Sequence, residues 1–184
     1  MKKLFLVLAL ASLVLGAAFG FDFMNASPAV QDSNIFIDAG IGWGILEYSI
    51  KIPPISAAIT YKPNGLPIPL SIGGYFAFTS YEEDVGVYNW SGTMLGFGAR
   101  ANWHFHLLDA LDTYLGISLG WLVWNQESTW DLLGITYTTK YDNSTFLYGF
   151  VLGGRYFFTD NIGAYIELGY SAVSVASIGL ALKF

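Results

Sequence analysis

Along the stretch TMLGFGARANWHF, every second residue from Leu95 is apolar: Leu95, Phe97, Ala99, Ala101, Trp103 and Phe105. Between them stand Met94, Gly96, Gly98, Arg100, Asn102 and His104. A two-residue period places the two sets on opposite faces of a β-strand. The same alternation recurs in runs of about ten residues across the chain. Ile35, Ile37, Ala39, Ile41, Trp43 and Ile45 oppose Phe36, Asp38 and three glycines, and Ile55, Ala57, Ile59 and Tyr61 oppose Ser56, Ala58, Thr60 and Lys62. Leu70, Ile72, Phe76 and Phe78 oppose Ser71, Gly73, Tyr75, Ala77 and Thr79. Further runs begin near Leu115, Phe146 and Ala164, and the last sets Ile178, Leu180, Leu182 and Phe184 against Gly179, Ala181 and Lys183.

The charges decide which solvent each face meets. Asp38, Lys62, Arg100, Arg155, Glu167 and Lys183 all fall on the small and polar face, and no run places a charge on its apolar face. A Lys or Arg facing lipid at mid-membrane costs roughly 2–4 kcal/mol, so the apolar faces read as lipid-facing and the polar faces as lumen-facing. Only 12% of the residues are charged while 54% are hydrophobic. A soluble domain carries about 25% charged residues. A lipocalin-like barrel would need that charged exterior, and a membrane helix in IGAYIELGYSAVSVASIGLAL would have to carry Glu167 without any 3.6-residue stripe.

The links between runs alternate in length. Short ones lie at KPNGLP, at 106–110 and at 159–161; longer ones lie near 46–54, 80–92 and 125–144, with a very short fourth near 171–173. Short turns on one side and mostly longer loops on the other define an up-and-down barrel. The predicted fold is all-β, an eight-stranded antiparallel transmembrane β-barrel.

Residues 1–20 have two lysines, an apolar run and small residues at Ala18 and Gly20, the layout of a cleavable secretory signal. Cleavage there removes Lys2 and Lys3 and takes the net charge from −6 to −8. The predicted organisation is a signal peptide at 1–20, a short periplasmic lead at 21–33 and a barrel domain at 34–184. The negative charge, with no basic patch, argues against nucleic acid. Cysteine is absent, so disulfides, thiolate metal sites and a lipoprotein anchor are excluded.

These features together resemble the small bacterial outer-membrane β-barrel proteins: the leader, the eight alternating runs, aromatics near run ends (Trp43, Tyr61, Trp103, Phe158) and the terminal Phe184. The OmpA, OmpX and outer-membrane protein W groups share the pattern, and no motif selects among them. The resemblance implies a monomer in the bacterial outer membrane, in contact with its lipid. It also implies that Ile178, Leu180, Leu182 and Phe184 resemble the signal read by the barrel-assembly machinery, although Leu182 stands where a Tyr is often seen.

Chemistry finds little footing in the sequence. His104 and His106 are the only histidines and fall at the short-turn end, one inward and one in the turn. Lipid-modifying barrels of this size carry a His and Ser near the outer leaflet, so both histidines read as structural, and neither a catalytic residue, a metal site nor a cofactor is predicted. GIGWG is no phosphate loop, because its glycines alternate along one strand face and no helix follows.

The inward charges Asp38, Lys62, Arg100, Asp112, Arg155, Glu167 and Lys183 form an expected lumen cluster, paired because unpaired buried charge is costly. A salt-bridged core that closes the barrel is the first reading, and a proton- or ion-conducting path the second. In the outer half of the lumen, Met94, Leu122, Trp124, Leu147, Val151 and Val175 read either as core filler or as an apolar pocket open to the outside. The pocket would suit a small hydrophobic ligand, as in the outer-membrane protein W group. Two functions follow: a structural or surface-interaction barrel whose loop aromatics meet a partner, or a channel or binder for small hydrophobic molecules.

Overall fold

A computed structural model describes residues 22–44, 49–132 and 135–184. The leader expected at 1–20 lies outside these residues. A short 3-10 turn, η1 (Pro28–Val30), precedes eight strands: β1 (Ile35–Gly44), β2 (Ile50–Tyr61), β3 (Leu70–Val85), β4 (Tyr88–Leu108), β5 (Leu111–Leu132), β6 (Ile135–Phe157), β7 (Ile162–Ser171) and β8 (Ser174–Lys183). They close as an antiparallel barrel in chain order. The C-terminal run is the seam strand, with Phe36 opposite Lys183, Ala39 opposite Leu180 and Ile41 opposite Ile178. Closure leaves no free edge through the barrel proper, which is what lets a sheet cross lipid.

The face assignments hold along the strands, except at Val175 of β8. Ile41, Trp43, Ile59, Ile72, Phe97, Trp121 and Tyr148 are exposed on the outside, while Phe36, Asp38, Thr60, Ser71, Arg100, Asn102 and Arg155 are buried within. An exterior this apolar around a polar interior is the inverse of a soluble barrel, and only a lipid solvent rewards it. Phe105 is the exception outside: it is buried because Phe23 of the lead packs on it and on Trp103.

Two of the links expected as loops are strands. The chain through 80–92 is a hairpin turning at Gly86 and Val87, with Gly86 in the left-handed region at φ 66° that a two-residue hairpin turn requires. The chain through 125–144 is a paired ribbon, with Asn125 opposite Asp142 and Trp130 opposite Tyr137. β4, β5 and β6 run 21, 22 and 23 residues, whereas β7 and β8 run 10 each. β6 pairs with β7 only over Phe150–Phe157. Residues 135–144, above Phe146 and the buried Leu147, rise beyond the barrel rim, about 33 Å of strand at roughly 3.3 Å per residue. The barrel carries a three-stranded wall on one side.

Candidate functional site: a lumen closed at both ends and an aromatic wall

All of the expected lumen charges point inward, and they form three groups. Arg155 is central to the first, donating from Nε and Nη2 to both Asp38 oxygens at 2.8 and 2.6 Å, and from Nη1 to Asp112 at 2.6 Å. All three are buried, Arg155 and Asp112 at 0% exposure. Its guanidinium also lies over Tyr114, 4.1 Å from the ring centre, and 5.1 Å from that of Phe36. In the second group Arg100 pairs with Glu167, which also accepts from Tyr114 Oη at 2.6 Å. Each buried charge thus has a counter-charge and further hydrogen bonds, the condition under which burial is tolerated.

The third group holds the lysines, and backbone carbonyls rather than carboxylates hold it. Lys62 Nζ donates to Val30 O at 2.5 Å and Gln31 O at 3.1 Å, and Lys183 Nζ donates to Ala29 O. Those carbonyls belong to the lead. Ser27 caps the η1 turn, and its hydroxyl reaches across to the carbonyls of Leu108 and Asp109 at the β4–β5 turn. Val30, fully buried, packs with Ala26 and Phe36. The lead is a stopper seated in the short-turn end.

His104 is inward, as expected, and its partners were not legible in sequence. Ser71 Oγ lies 2.9 Å from its Nε2 and Asp112 Oδ1 lies 2.7 Å from its Nδ1. This is the hydrogen-bond order of a Ser-His-Asp relay. All three groups are at 0% exposure, with the Phe36 ring 5.2 Å from the imidazole. A nucleophile needs a substrate beside it as well as a base, and Ser71 is walled in. We expect Ser71 to resist a fluorophosphonate probe in the folded barrel; stoichiometric labelling of Ser71, read by mass spectrometry, would contradict that. No group of three or more His, Cys, Asp or Glu side chains among the described residues is arranged to hold a metal ion.

The outer half of the lumen is filled. Leu122 and Leu147 pack with Tyr75, Ala77, Ala172 and Val173, and Met94 rests against them. Val151 is also buried, whereas Trp124 is half-buried and donates to Tyr81 Oη at 2.7 Å. Val175 corrects the expected pocket: a bulge pairs Trp43 with Ala176 and Gly44 with Ser174, skipping Val175, and leaves it 45% exposed. Such a bulge flips the side-chain alternation. The place expected of Val175 is taken by Ala172 and Val173, which turn into the lumen, Ala172 at φ 53°. They sit against Gly96, where an added Cβ would come within 2.8 Å of the Ala172 side chain. The expected opening to the outside is therefore closed by the β7–β8 turn.

Above the rim the sense of the alternation inverts. On the outer faces of β4 and β5 the apolar series ends at Leu95 and Val123 and gives way to Thr93, Ser91, Asn125 and Glu127; on β6, Phe146 gives way to Ser144, Asp142 and Lys140. The inner faces become aromatic. Tyr88, Trp130 and Tyr137 stand opposite one another across the three strands. Trp130 stacks on Tyr137 with ring centres 5.7 Å apart, and Tyr88 on Trp90 at 6.3 Å. Outside the membrane band, Lys51 donates to Glu82 at 2.6 Å and holds its carboxyl below the ordinary glutamate value.

These features define an eight-stranded membrane β-barrel of the outer-membrane type, with a plugged lumen and a projecting wall. The chain matches no protein-family model, and no curated protein matches it. Solved structures that resemble it include three small outer-membrane barrels. Ail, the attachment invasion locus protein of Yersinia pestis, in complex with the heparin analogue sucrose octasulfate, is 13% identical, with 82% of this chain and 94% of that one covered at a TM-score of 0.45. The N-terminal barrel domain of Pseudomonas aeruginosa OprF is 16% identical, covering 83% and 98% at 0.42. Neisserial surface protein A is 17% identical, covering 82% and 95% at 0.38. The fold of this chain stands on its own strand register and face polarity rather than on those likenesses.

Proposed function

We propose that the chain is a non-enzymatic, monomeric surface protein of the bacterial outer membrane. The barrel anchors it and the wall meets a partner in the external medium. The observation that carries this reading is the inversion of face polarity at the rim: a polar outer face and an aromatic inner face suit an element that leaves the lipid and still has apolar surface to cover. In this reading the leader at 1–20 directs secretion, and Ile178, Leu180, Leu182 and Phe184 serve the assembly machinery before they face lipid. Passage of small hydrophobic molecules finds less support, because the lead fills one end of the lumen and Ala172 and Val173 fill the other.

The absence of cysteine makes the topology testable with single introduced thiols. Thr138→Cys, on the wall, is expected to react with a membrane-impermeant maleimide on intact cells. Asn64→Cys, at the short-turn end, is expected to react only after permeabilisation. Protection of Thr138→Cys on intact cells would overturn the reading.

A further inference from the structure

The inner face of the wall carries a charge that the aromatic pattern does not explain. Glu83, on β3, lies directly opposite Trp90 of β4, on the same face as Tyr81, whose ring turns inward over Gly92. Its neighbour Glu82 points to the other face and is occupied by Lys51. The second lysine of this region, Lys140, is likewise occupied, by Glu127 at 3.1 Å. Among the described residues Glu83 has no counter-ion. It is half-buried beside rings of which Tyr88 remains 49% and Tyr137 44% exposed.

We propose that this face is a docking surface for a basic polypeptide segment, whose lysine and arginine side chains lie against Trp90, Trp130 and the flanking tyrosines and are neutralised by Glu83. The inference rests on the reading that the wall stands outside the membrane, and it adds the chemistry of the partner. Indole and phenol faces attract ammonium and guanidinium groups through the ring quadrupole. A carboxylate beside them adds a charge-assisted hydrogen bond. The surroundings carry the same sign: Asp84, Asp131 and Asp142 add to the field, with both nearby lysines already paired. A field of one sign draws in ligands of the other.

Other ligands fit less well. A polyanion would meet carboxylates on both faces of the wall. A neutral glycan would use the rings and leave Glu83 unanswered. A single small cation is best held by rings gathered around one point, whereas these stand as stacked pairs spread over three strands, a length suited to an extended chain.

The test uses the full-length protein folded in detergent micelles, with fluorescein-labelled octa-arginine as the probe. A heparin-derived octasaccharide and a neutral hexasaccharide serve as comparisons. Octa-arginine is expected to bind with quenching of tryptophan emission, and to weaken as salt is raised from 0.05 to 0.5 M (about a threefold shorter screening length). Glu83→Gln and Trp130→Ala are each expected to weaken it at least tenfold. Asp84→Asn, which removes the same charge one residue away on the opposite face, is expected to change affinity less than twofold. Heat-modifiable gel migration reports whether each variant has folded. Equal losses from Glu83→Gln and Asp84→Asn would overturn the proposal, since general acidity would then account for binding; so would preference for either saccharide. This readout is made on purified protein. A wall on the wrong side of the membrane would appear instead in the cell-labelling experiment, so the two readings fail separately.

Discussion

Replacing Arg155 by methionine is expected to cost about 3–5 kcal/mol, the penalty for removing one partner from a buried ionic group. Folded domains hold only about 5–15 kcal/mol in reserve, so the heat-modifiable, folded form is expected to fall sharply or vanish. The reason lies in what Arg155 leaves behind. Asp38 and Asp112 both depend on it, both are buried, and among the described residues Asp112 has only His104 as another hydrogen-bond partner. Removing the two carboxylates with it, as Asp38→Asn and Asp112→Asn in the Arg155→Met background, is expected to recover much of the loss, because no unpaired charge then remains. Urea titration of the refolded protein in lipid vesicles measures both. A single Arg155→Met barrel as stable as the parent would show that the guanidinium is not the centre of the core.

Deletion of residues 22–33, with the leader retained, is the second large effect expected. The stopper covers Phe36, which is fully buried, and packs against Phe157. Uncovering an aromatic of that size costs about 1.5–3 kcal/mol. Lys62 and Lys183 also lose their carbonyl acceptors, but water from the opened end replaces these, so their contribution is smaller. We expect a total loss of about 2–4 kcal/mol, read as a lower urea midpoint with a folded barrel still formed. An unchanged midpoint would mean that the lead is seated without consequence. The lumen is expected to stay closed in this variant, because the Arg155 and Arg100 groups and the Ala172–Val173 turn lie beyond the stopper.

The barrel was legible because two face-specific signals agreed along the chain. Apolar residues recur at every second position, and the charges Asp38, Arg100, Arg155 and Glu167 never break the rule. What escaped had a definite physical cause in each instance. The wall reads as loops in sequence because lipid-facing apolar residues mark the strands, and above Val123 the alternation continues with its sense reversed. Trp130 and Tyr137 read in sequence as loop aromatics, although Trp130 continues the two-residue phase of Leu122 and Trp124 on β5, and Tyr137 that of Leu147 and Val151 on β6. Val175 was misplaced by a bulge, which a strict period cannot anticipate. Tyr114 stood at an inward position and was passed over, yet it bonds Glu167 and stacks on Arg155.

The stopper was the least legible feature. Its holding groups are backbone carbonyls of Ala29, Val30 and Gln31, which carry no residue signature. The Ser71–His104–Asp112 relay joins three strands, with Ser71 33 residues from His104 and Asp112 8 residues beyond it, and its members meet only through register. Ser71 and Asp112 were each placed inward correctly, but nothing in one dimension says that they share an imidazole.

The central claim is that this barrel is closed at both ends and works through its wall rather than through its lumen. Single-channel recording of the folded protein in a planar lipid bilayer tests it most directly. The account predicts no unitary conductance above the noise of the bare membrane in molar potassium chloride, for the parent and for the protein lacking residues 22–33. Reproducible unitary steps from the parent would contradict it, because ions would then be crossing a lumen that the Arg155, Arg100 and Ala172–Val173 groups are held to fill.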